Sequence, residues 1–367
     1  MIMDQIIKNK LNKLVQSFQK VLYEDDQTFL ENMKMNNLAG DDISKYRFWE
    51  WTQGVGLFGL WKLFEQTKNE YYLEMLLKYY NDQIKNGLPS KNINTVTPLL
   101  ALSYIYEYTE DPEKYLTVCE EWAEWIMLEL PRTKEGGFQH ITSDTLNEQE
   151  LWDDTLFMTV LFLAKMGQIK NNKDYIEEAK YQFLLHIKYL TDKKTGLWFH
   201  GWTFNGSHNF AEALWGRGNC WITIAIPEFI EIIHLERSVK RFLVETLKSQ
   251  VESLEKYQDE NGMWHTLLDD PTSYVEASAT CGFAYGILKS VEMGLINDTY
   301  KSCALKALNP ILELIDDEGI VKQVSYGTAM GRKTKQFYKD IPIQSMPYGQ
   351  ALAILFLMKA QGFLYEK

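Results

Sequence analysis

The chain has 367 residues, 46% of them hydrophobic, which is ample for a sizeable buried core. With 38 basic against 50 acidic residues the net charge is -12 and no basic run or stripe stands out, which argues against nucleic acid or an anionic membrane surface as a partner. The four cysteines, Cys119, Cys220, Cys281 and Cys303, are scattered without a CxxC pair or a Cys/His cluster, so the expectation is a reducing compartment and no structural zinc.

The N-terminal stretch "MIMDQIIKNKLNKLVQSFQKVLY" alternates apolar and charged residues at helical spacing and lacks a small-residue cleavage site, which reads as a surface helix rather than a signal peptide. No run approaches the roughly 18 consecutive apolar residues of a membrane span. A cytoplasmic protein is the expectation.

Beyond this helix a unit recurs about every 45 to 70 residues. Its first half is apolar almost all round, as in "GVGLFGLWKLFEQT", "TPLLALSYIYEYT", "DTLFMTVLFLAKMG", "GNCWITIAIPEFIEII", "ASATCGFAYGILKSVEMG" and "YGQALAILFLMKAQG", and predicts buried helices. Its second half is amphipathic and charged, as in "NEYYLEMLLKYYNDQIK" and "LERSVKRFLVETLKSQVESLEKY", and belongs on an outer layer. Six inner helices need six outer partners and five follow in sequence, so the N-terminal helix must supply the sixth against the last inner helix. The predicted fold is all-α, an (α/α)6 barrel of nested hairpins forming a single domain over residues 1–367.

Short segments ahead of the inner helices repeat a glycine, an aromatic or aliphatic residue and often a histidine: "GGFQH", "GLWFHGW", "GMWHTLLDD" and "GIVKQVSYGTAMG". These should gather at one mouth of the barrel, where inner-helix N-termini present unpaired N–H groups and the positive ends of their dipoles. "LWDDTLFM" sets Asp153 and Asp154 at the start of the third inner helix. Successive helical residues diverge by about 100°, so the two carboxylates should point apart, Asp154 sharing the inner face with Met158 and Asp153 capping the helix. His140, His200 and His265 end equivalent mouth segments and suggest a polar pocket capable of acid/base work, though a lone histidine after an aromatic is commonly structural.

In "LWGRGNCW", Arg217 stands between two glycines, Gly216 and Gly218, which let the backbone come close to a ligand or take a positive φ, with Trp215 and Trp221 close by. It either points past Asp154 toward an anionic ligand, which is the expectation, or pairs with an acid such as Glu212 or an inner-helix Asp. The polar loops before the last two inner helices offer Tyr274, Glu276, Ser278 and Tyr338 as wall residues. Aromatics reach 14%, and their flat faces suit pyranose rings as readily as they fill a helical core.

These motifs, in the order "W-x-W-x-x-G" at Trp49, "NINTVTP" at Asn92, "GGFQH", "LWDDTLFM", "GLWFHGW", "WGRGNCW", "LDDPTSYVEASA" and "GTAMG", resemble the unsaturated rhamnogalacturonyl hydrolases, glycoside hydrolase family 105, and the related unsaturated glucuronyl hydrolases. The resemblance implies a hydrolase without metal or cofactor that removes a 4,5-unsaturated uronic acid from the non-reducing end of lyase-generated oligosaccharides. The reaction is hydration of the double bond: a proton is delivered to C4, water adds at C5, and the resulting hemiketal opens to release the aglycon. Carried over by motif, Asp154 is the catalytic acid/base, and Trp49, Trp51, Asn94, His140, Trp152, Met158, His200, Trp215, Arg217 and Trp221 are substrate contacts. Two departures stand out: Asn94 where many members have Asp, and Ile141 where some relatives carry a basic residue. A sugar epimerase on the same toroid, with His200 and His265 as a proton-moving pair, is the alternative, and a non-catalytic sugar-binding toroid a third. Neither the leaving sugar nor the oligomeric state follows from the sequence.

Overall fold

The computed structural model describes residues 2–24, 27, 31, 48–327 and 329–365; Thr328 of the "GTAMG" motif lies outside them. The first helix, α1 (Ile2–Val21), buries Ile7, Leu11, Leu14, Val15 and Phe18, a single stripe at three- and four-residue spacing. Four helices follow: α2 (Trp51–Thr67), α3 (Glu70–Asn86), α4 (Ile93–Ile105) and α5 (Pro112–Leu128). The third inner helix begins as a π-helical turn over Leu156–Val160 and continues as α6 (Leu161–Lys170). After α7 (Lys173–Leu190) come α8 (Gly216–Ile232), α9 (Arg237–Tyr257) and α10 (Ala277–Glu292). The chain ends with α11 (Tyr300–Lys306), α12 (Leu308–Leu314), the short α13 (Gln336–Lys339) and α14 (Pro347–Tyr365).

The inner helices α2, α4, α6, α8, α10 and α14 pack each on the next, and α14 packs back on α2, closing the ring. Outside them lie α3, α5, α7, α9 and the α11–α12 pair, each on its preceding inner helix, while α1 covers α14. The contrast in burial follows the composition. In α4 eleven of thirteen residues are buried, whereas α9, with 21 residues, buries only Leu243, Leu247, Gln250, Val251 and Leu254. An inner helix has neighbours on all sides and an outer helix on one, so only the apolar sequence can occupy the ring. The structure is the (α/α)6 barrel expected from the repeat.

Caps fix where the inner helices start. Asn92 accepts from the N–H groups of Asn94 and Thr95 while the Thr95 hydroxyl accepts from Asn92 N–H, and Glu50 with Gln53 forms the same reciprocal box on α2. Such a cap is worth about 1 kcal/mol. The glycines that open the repeated mouth segments, Gly136, Gly196, Gly262 and Gly319, have φ of 77°, 74°, 94° and 76°, so one left-handed turn recurs at each outer-to-inner crossing. Two small ladders stiffen the mouth. Strand β1 (Glu150–Trp152) pairs antiparallel with β2 (Gly201–Thr203), and β3 (Val324–Ser325) with β4 (Ile343–Gln344).

Candidate active site

The β1–β2 ladder places the acidic motif. With Trp152 opposite Gly201, Asp153 N–H donates to the His200 carbonyl at 3.0 Å, and the His200 ring comes to lie beside the next carboxyl. His200 Nε2 is 3.4 Å from Asp154 Oδ2, and His200 Nδ1 is 2.7 Å from the Tyr338 hydroxyl. Trp152 meets the His200 ring edge-on at 5.0 Å between centroids, and Trp215 lies tilted against it at 4.4 Å. On the other face of Trp152 the His140 ring stacks at 4.4 Å, with its Nδ1 2.8 Å from the Thr155 hydroxyl. Burial depresses the His140 pKa to about 3, so this ring is neutral at physiological pH.

The two aspartates do not diverge as expected of successive helical residues. One oxygen from each, together with a His200 nitrogen, lies within 4.8 Å of the others. The reason is local: Asp153 sits in a turn ahead of the helix, which starts at Asp154 and passes after two residues into a π-helical turn. Nor does Asp153 cap the helix: among the described residues its buried oxygens have no hydrogen-bond partner beyond the Asp154 carboxyl and the Asp153–Asp154 backbone. Its carboxyl lies against Gly218 in the first turn of α8, where a Cβ would stand 2.4 Å from Asp153 Oδ2. Burial first, and then the neighbouring Asp154 charge, raise the Asp153 pKa far above the carboxylate range. Burial acts the same way on Asp154, but the contact and charge of His200 outweigh it and hold that carboxyl below its ordinary value. The trio is a buried cluster of two carboxyls and an imidazole at the start of the third inner helix.

Beside the cluster opens a cavity of about 880 Å³. Of the predicted site residues, Trp51, Asn94 and Trp152 line it, whereas Asp154, His140, His200 and Trp215 are buried and are not among its lining residues. Trp51 stacks on Tyr348 at 4.7 Å, forming a flat aromatic wall. Trp152 Nε1 donates to Glu150 at 2.9 Å, and Glu150 is held in turn by Arg332 at 2.5 and 3.2 Å. Met330, another lining residue, lies 3.5 Å from the Tyr338 hydroxyl and so links the wall to the His200 side of the cluster.

Other predicted contacts lie elsewhere. Trp49 is fully buried, donates to the Thr95 carbonyl at 2.8 Å and stacks on Tyr79 of α3, which makes it core between layers. Trp221 is buried between Trp51 and Phe157, and Met158 accepts from the Thr97 hydroxyl at 3.3 Å; neither lines the cavity. Arg217 departs most from the expectation that it points past Asp154 toward a ligand. It is 1% exposed, sandwiched between Trp215 and Tyr348 with both centroids 4.6 Å away. Its guanidinium donates to the Ser325 hydroxyl at 2.6 Å, the Ser325 carbonyl at 3.0 Å and the Gly327 carbonyl. Its acidic partner is Glu276 at 3.7 Å, neither Glu212 nor Asp154. Arg217 thus carries the backbone of the wall segment that includes Tyr326 and Gly327. His265 is likewise held apart, its nitrogens facing the Ser273 carbonyl and Asp259, so it forms no proton-moving pair with His200.

Glu50 escaped the sequence reading. It is buried yet lines the cavity, accepts from the Ser143 hydroxyl at 3.0 Å and from Trp51 N–H at 3.3 Å, and burial pushes its pKa up to about 7. The one signal was its place between the two tryptophans of "WEW" at an inner-helix start.

A family model described as Glycosyl Hydrolase Family 88 matches residues 26–364. The unsaturated rhamnogalacturonyl hydrolase YesR of Bacillus subtilis is 32% identical over 324 residues, covering 87% of this chain and 92% of its own. Among solved structures, a possible member of glycoside hydrolase family 105 from Salmonella enterica is 46% identical, with a TM-score of 0.90 over 98% of this chain and 94% of that one. An unsaturated glucuronyl hydrolase from Streptococcus agalactiae, at 16% identity, shares the fold with a TM-score of 0.70 over 98% of this chain and 92% of its own. No helix among the described residues is long and apolar enough to cross a membrane. The chain belongs to Glycosyl Hydrolase Family 88, its likeness to the unsaturated rhamnogalacturonyl hydrolases of family 105 holds over nearly its whole length, and it is a glycosidase.

Proposed function

We propose that the protein is a cytoplasmic, single-domain hydrolase that removes a 4,5-unsaturated galacturonyl or glucuronyl residue from the non-reducing end of lyase-generated oligosaccharides. The observation that carries this reading is the Asp154–His200 pair set against Trp152 beside an aromatic-walled cavity of about 880 Å³. A sugar ring lies on the Trp51 and Trp152 faces, with Asn94 as a hydrogen-bonding partner for a hydroxyl. Asp154, protonated, delivers its proton to C4 of the C4=C5 bond, and positive charge develops at C5, shared by the ring oxygen. Water then adds at C5 while Asp154, now a carboxylate, takes up the water proton. The hemiketal opens and the aglycon departs. One carboxyl serves both steps, so a second carboxylate spaced across a scissile bond is not required. Arg217 supports the site by holding the Tyr326–Gly327 wall.

The test is the loss of ultraviolet absorbance of the conjugated double bond when the protein meets unsaturated disaccharides from lyase digests of pectin, xanthan, ulvan and glycosaminoglycans. Asp154→Asn should lower kcat by roughly a hundredfold or more. Full activity in that variant sinks the assignment, and interconverted sugars without a released aglycon would instead favour an epimerase.

A further inference from the structure

Asp154 as general acid raises a problem that the geometry itself poses. The acid must carry a proton when substrate arrives, yet its carboxyl faces His200 Nε2 at 3.4 Å, a contact that favours the ionised form. Beside it, Asp153 is fully buried, and among the described residues its oxygens have no hydrogen-bond partner beyond the Asp154 carboxyl and the Asp153–Asp154 backbone. An ionised carboxylate in that state is so costly that the group takes up a proton instead. The other groups around Asp153 do not change this. From the segment ahead of β2 comes His200, from the loop carrying α13 the Tyr338 hydroxyl, from α8 Cys220, and His140 acts on Asp154; none forms an ion pair with Asp153 among the described residues. The absence of a side chain at Gly218 is what makes room for the carboxyl there.

We propose that Asp153 is a positioning residue for the hydration step, holding in the resting enzyme the proton that Asp154 delivers to C4. This rests on the reading of Asp154 as the acid. In the forward direction the proton passes from the Asp153 carboxyl to the Asp154 carboxylate, leaving Asp153 ionised. Asp154 gives the proton to C4, and the electron pair of the C4=C5 bond forms the new C–H bond. Water adds its oxygen at C5, its released proton goes to Asp154, and from there it returns to Asp153. One water is consumed, and the pair ends with the single proton it began with. Asp153 itself, at 0% exposure against 3% for Asp154, does not touch substrate.

The experiment compares wild type, Asp153→Asn, Gly218→Ala and Asp154→Asn on an unsaturated rhamnogalacturonan disaccharide, with infrared spectra of each protein at about pH 8, where Glu50 is mainly ionised. Asparagine keeps the shape of Asp153 but cannot pass a proton. In Asp153→Asn, kcat should fall by roughly a hundredfold while KM stays within about threefold and the melting temperature within a few degrees. The only proton left is then the one Asp154 binds beside His200, so the high-pH limb of kcat should move to lower pH. The carbonyl stretch of a protonated carboxyl should be present in wild type and Asp154→Asn and absent in Asp153→Asn. Gly218→Ala, which displaces the carboxyl without removing it, should lower kcat and shift the same limb in the same direction. Wild-type kcat and pH profile in Asp153→Asn, or no protonated-carboxyl band in wild type, would overturn the proposal, and the second result needs no variant to fold. If Asp154→Asn turns over normally, the functional reading fails; if it is inactive while Asp153→Asn is normal, only the proton store fails.

Discussion

Glu50→Gln is a perturbation whose size and sign both follow from the structure. The carboxyl is 4% exposed, faces Ser143, Trp51 N–H and the charge of Asp144, and is raised by burial from 4.5 to about 7. A separation of about 2.5 units between folded and unfolded chain corresponds to about 3 kcal/mol at most. Because the folded-state value is the higher one, the folded chain holds the proton more tightly. The stabilisation is fully present below about pH 4.5 and is lost as pH rises through about 7. Glutamine does not titrate, and it keeps an oxygen for Trp51 N–H and an amide that can donate to Ser143. The stability of Glu50→Gln relative to wild type should therefore rise by about 3 kcal/mol between about pH 4 and about pH 8, whatever the constant effect of the substitution on the helix cap. Other titrating groups, such as His140, are present in both proteins and cancel. For a chain of this length the change corresponds to about 4 °C in relative melting temperature. Urea denaturation of both proteins at the two pH values measures it directly. A difference that is the same at both ends would refute a buried, proton-holding Glu50.

Trp51→Ala removes one of the two rings in the Trp51–Tyr348 stack on the cavity wall, and KM for the unsaturated disaccharide should rise roughly tenfold, with the smaller change in kcat, in steady-state kinetics. Arg217→Ala leaves Glu276 buried without its cation and frees the Ser325 and Gly327 carbonyls. A loss of about 3–5 kcal/mol in unfolding free energy is expected. Unchanged stability with a raised KM would instead return Arg217 to direct substrate binding.

The barrel was legible because its signal is local. A helix that is apolar all round and one with a single stripe differ within a window of a dozen residues, and their alternation reports inner and outer layers. The site was legible only in part. Trp49 and Trp51 belong to one motif, yet the two-residue step turns the first toward Tyr79 and Tyr80 and leaves the second on the cavity wall. Side-chain direction at a helix start depends on where the cap falls, and the motif alone does not show that Glu50 is the N-cap. Asp153 was misplaced because the 100° step was applied one residue too early, to a turn that leads into a π-helical segment. The partner of Arg217, Glu276, comes from the start of the next inner helix, 59 residues along the chain. No spacing rule within "WGRGN" reaches that far. Gly218 looked like a glycine for close approach to a ligand, and the approach turned out to be by Asp153.

These partnerships explain how an acidic protein can receive an acidic sugar. The described residues lining the cavity include Glu24, Glu50, Asp144, Glu318 and Asp340 against Lys20 and Arg332, a balance that should repel a uronate. The buried acids in and beside the site are neutralised one by one. Burial shifts Glu50 and Asp153 toward the neutral form, Asp154 faces His200, Glu150 is held by Arg332, and Glu276 combines Arg217 with the Ala279 N–H at the start of α10. Glu24, Asp144, Glu318 and Asp340 remain for solvent and salt to screen, at a distance set by the size of the cavity. With Arg217 and Arg332 already engaged, the groups expected to meet the sugar carboxylate are hydrogen-bond donors and inner-helix N-termini, with Lys20 the other basic residue on the wall. Such a site suits a reaction in which positive charge develops at C5. A fixed cation placed to grip the substrate carboxylate would sit one bond from that centre and oppose the charge it must acquire, whereas neutral donors hold the carboxylate and leave its negative charge to favour the transition state.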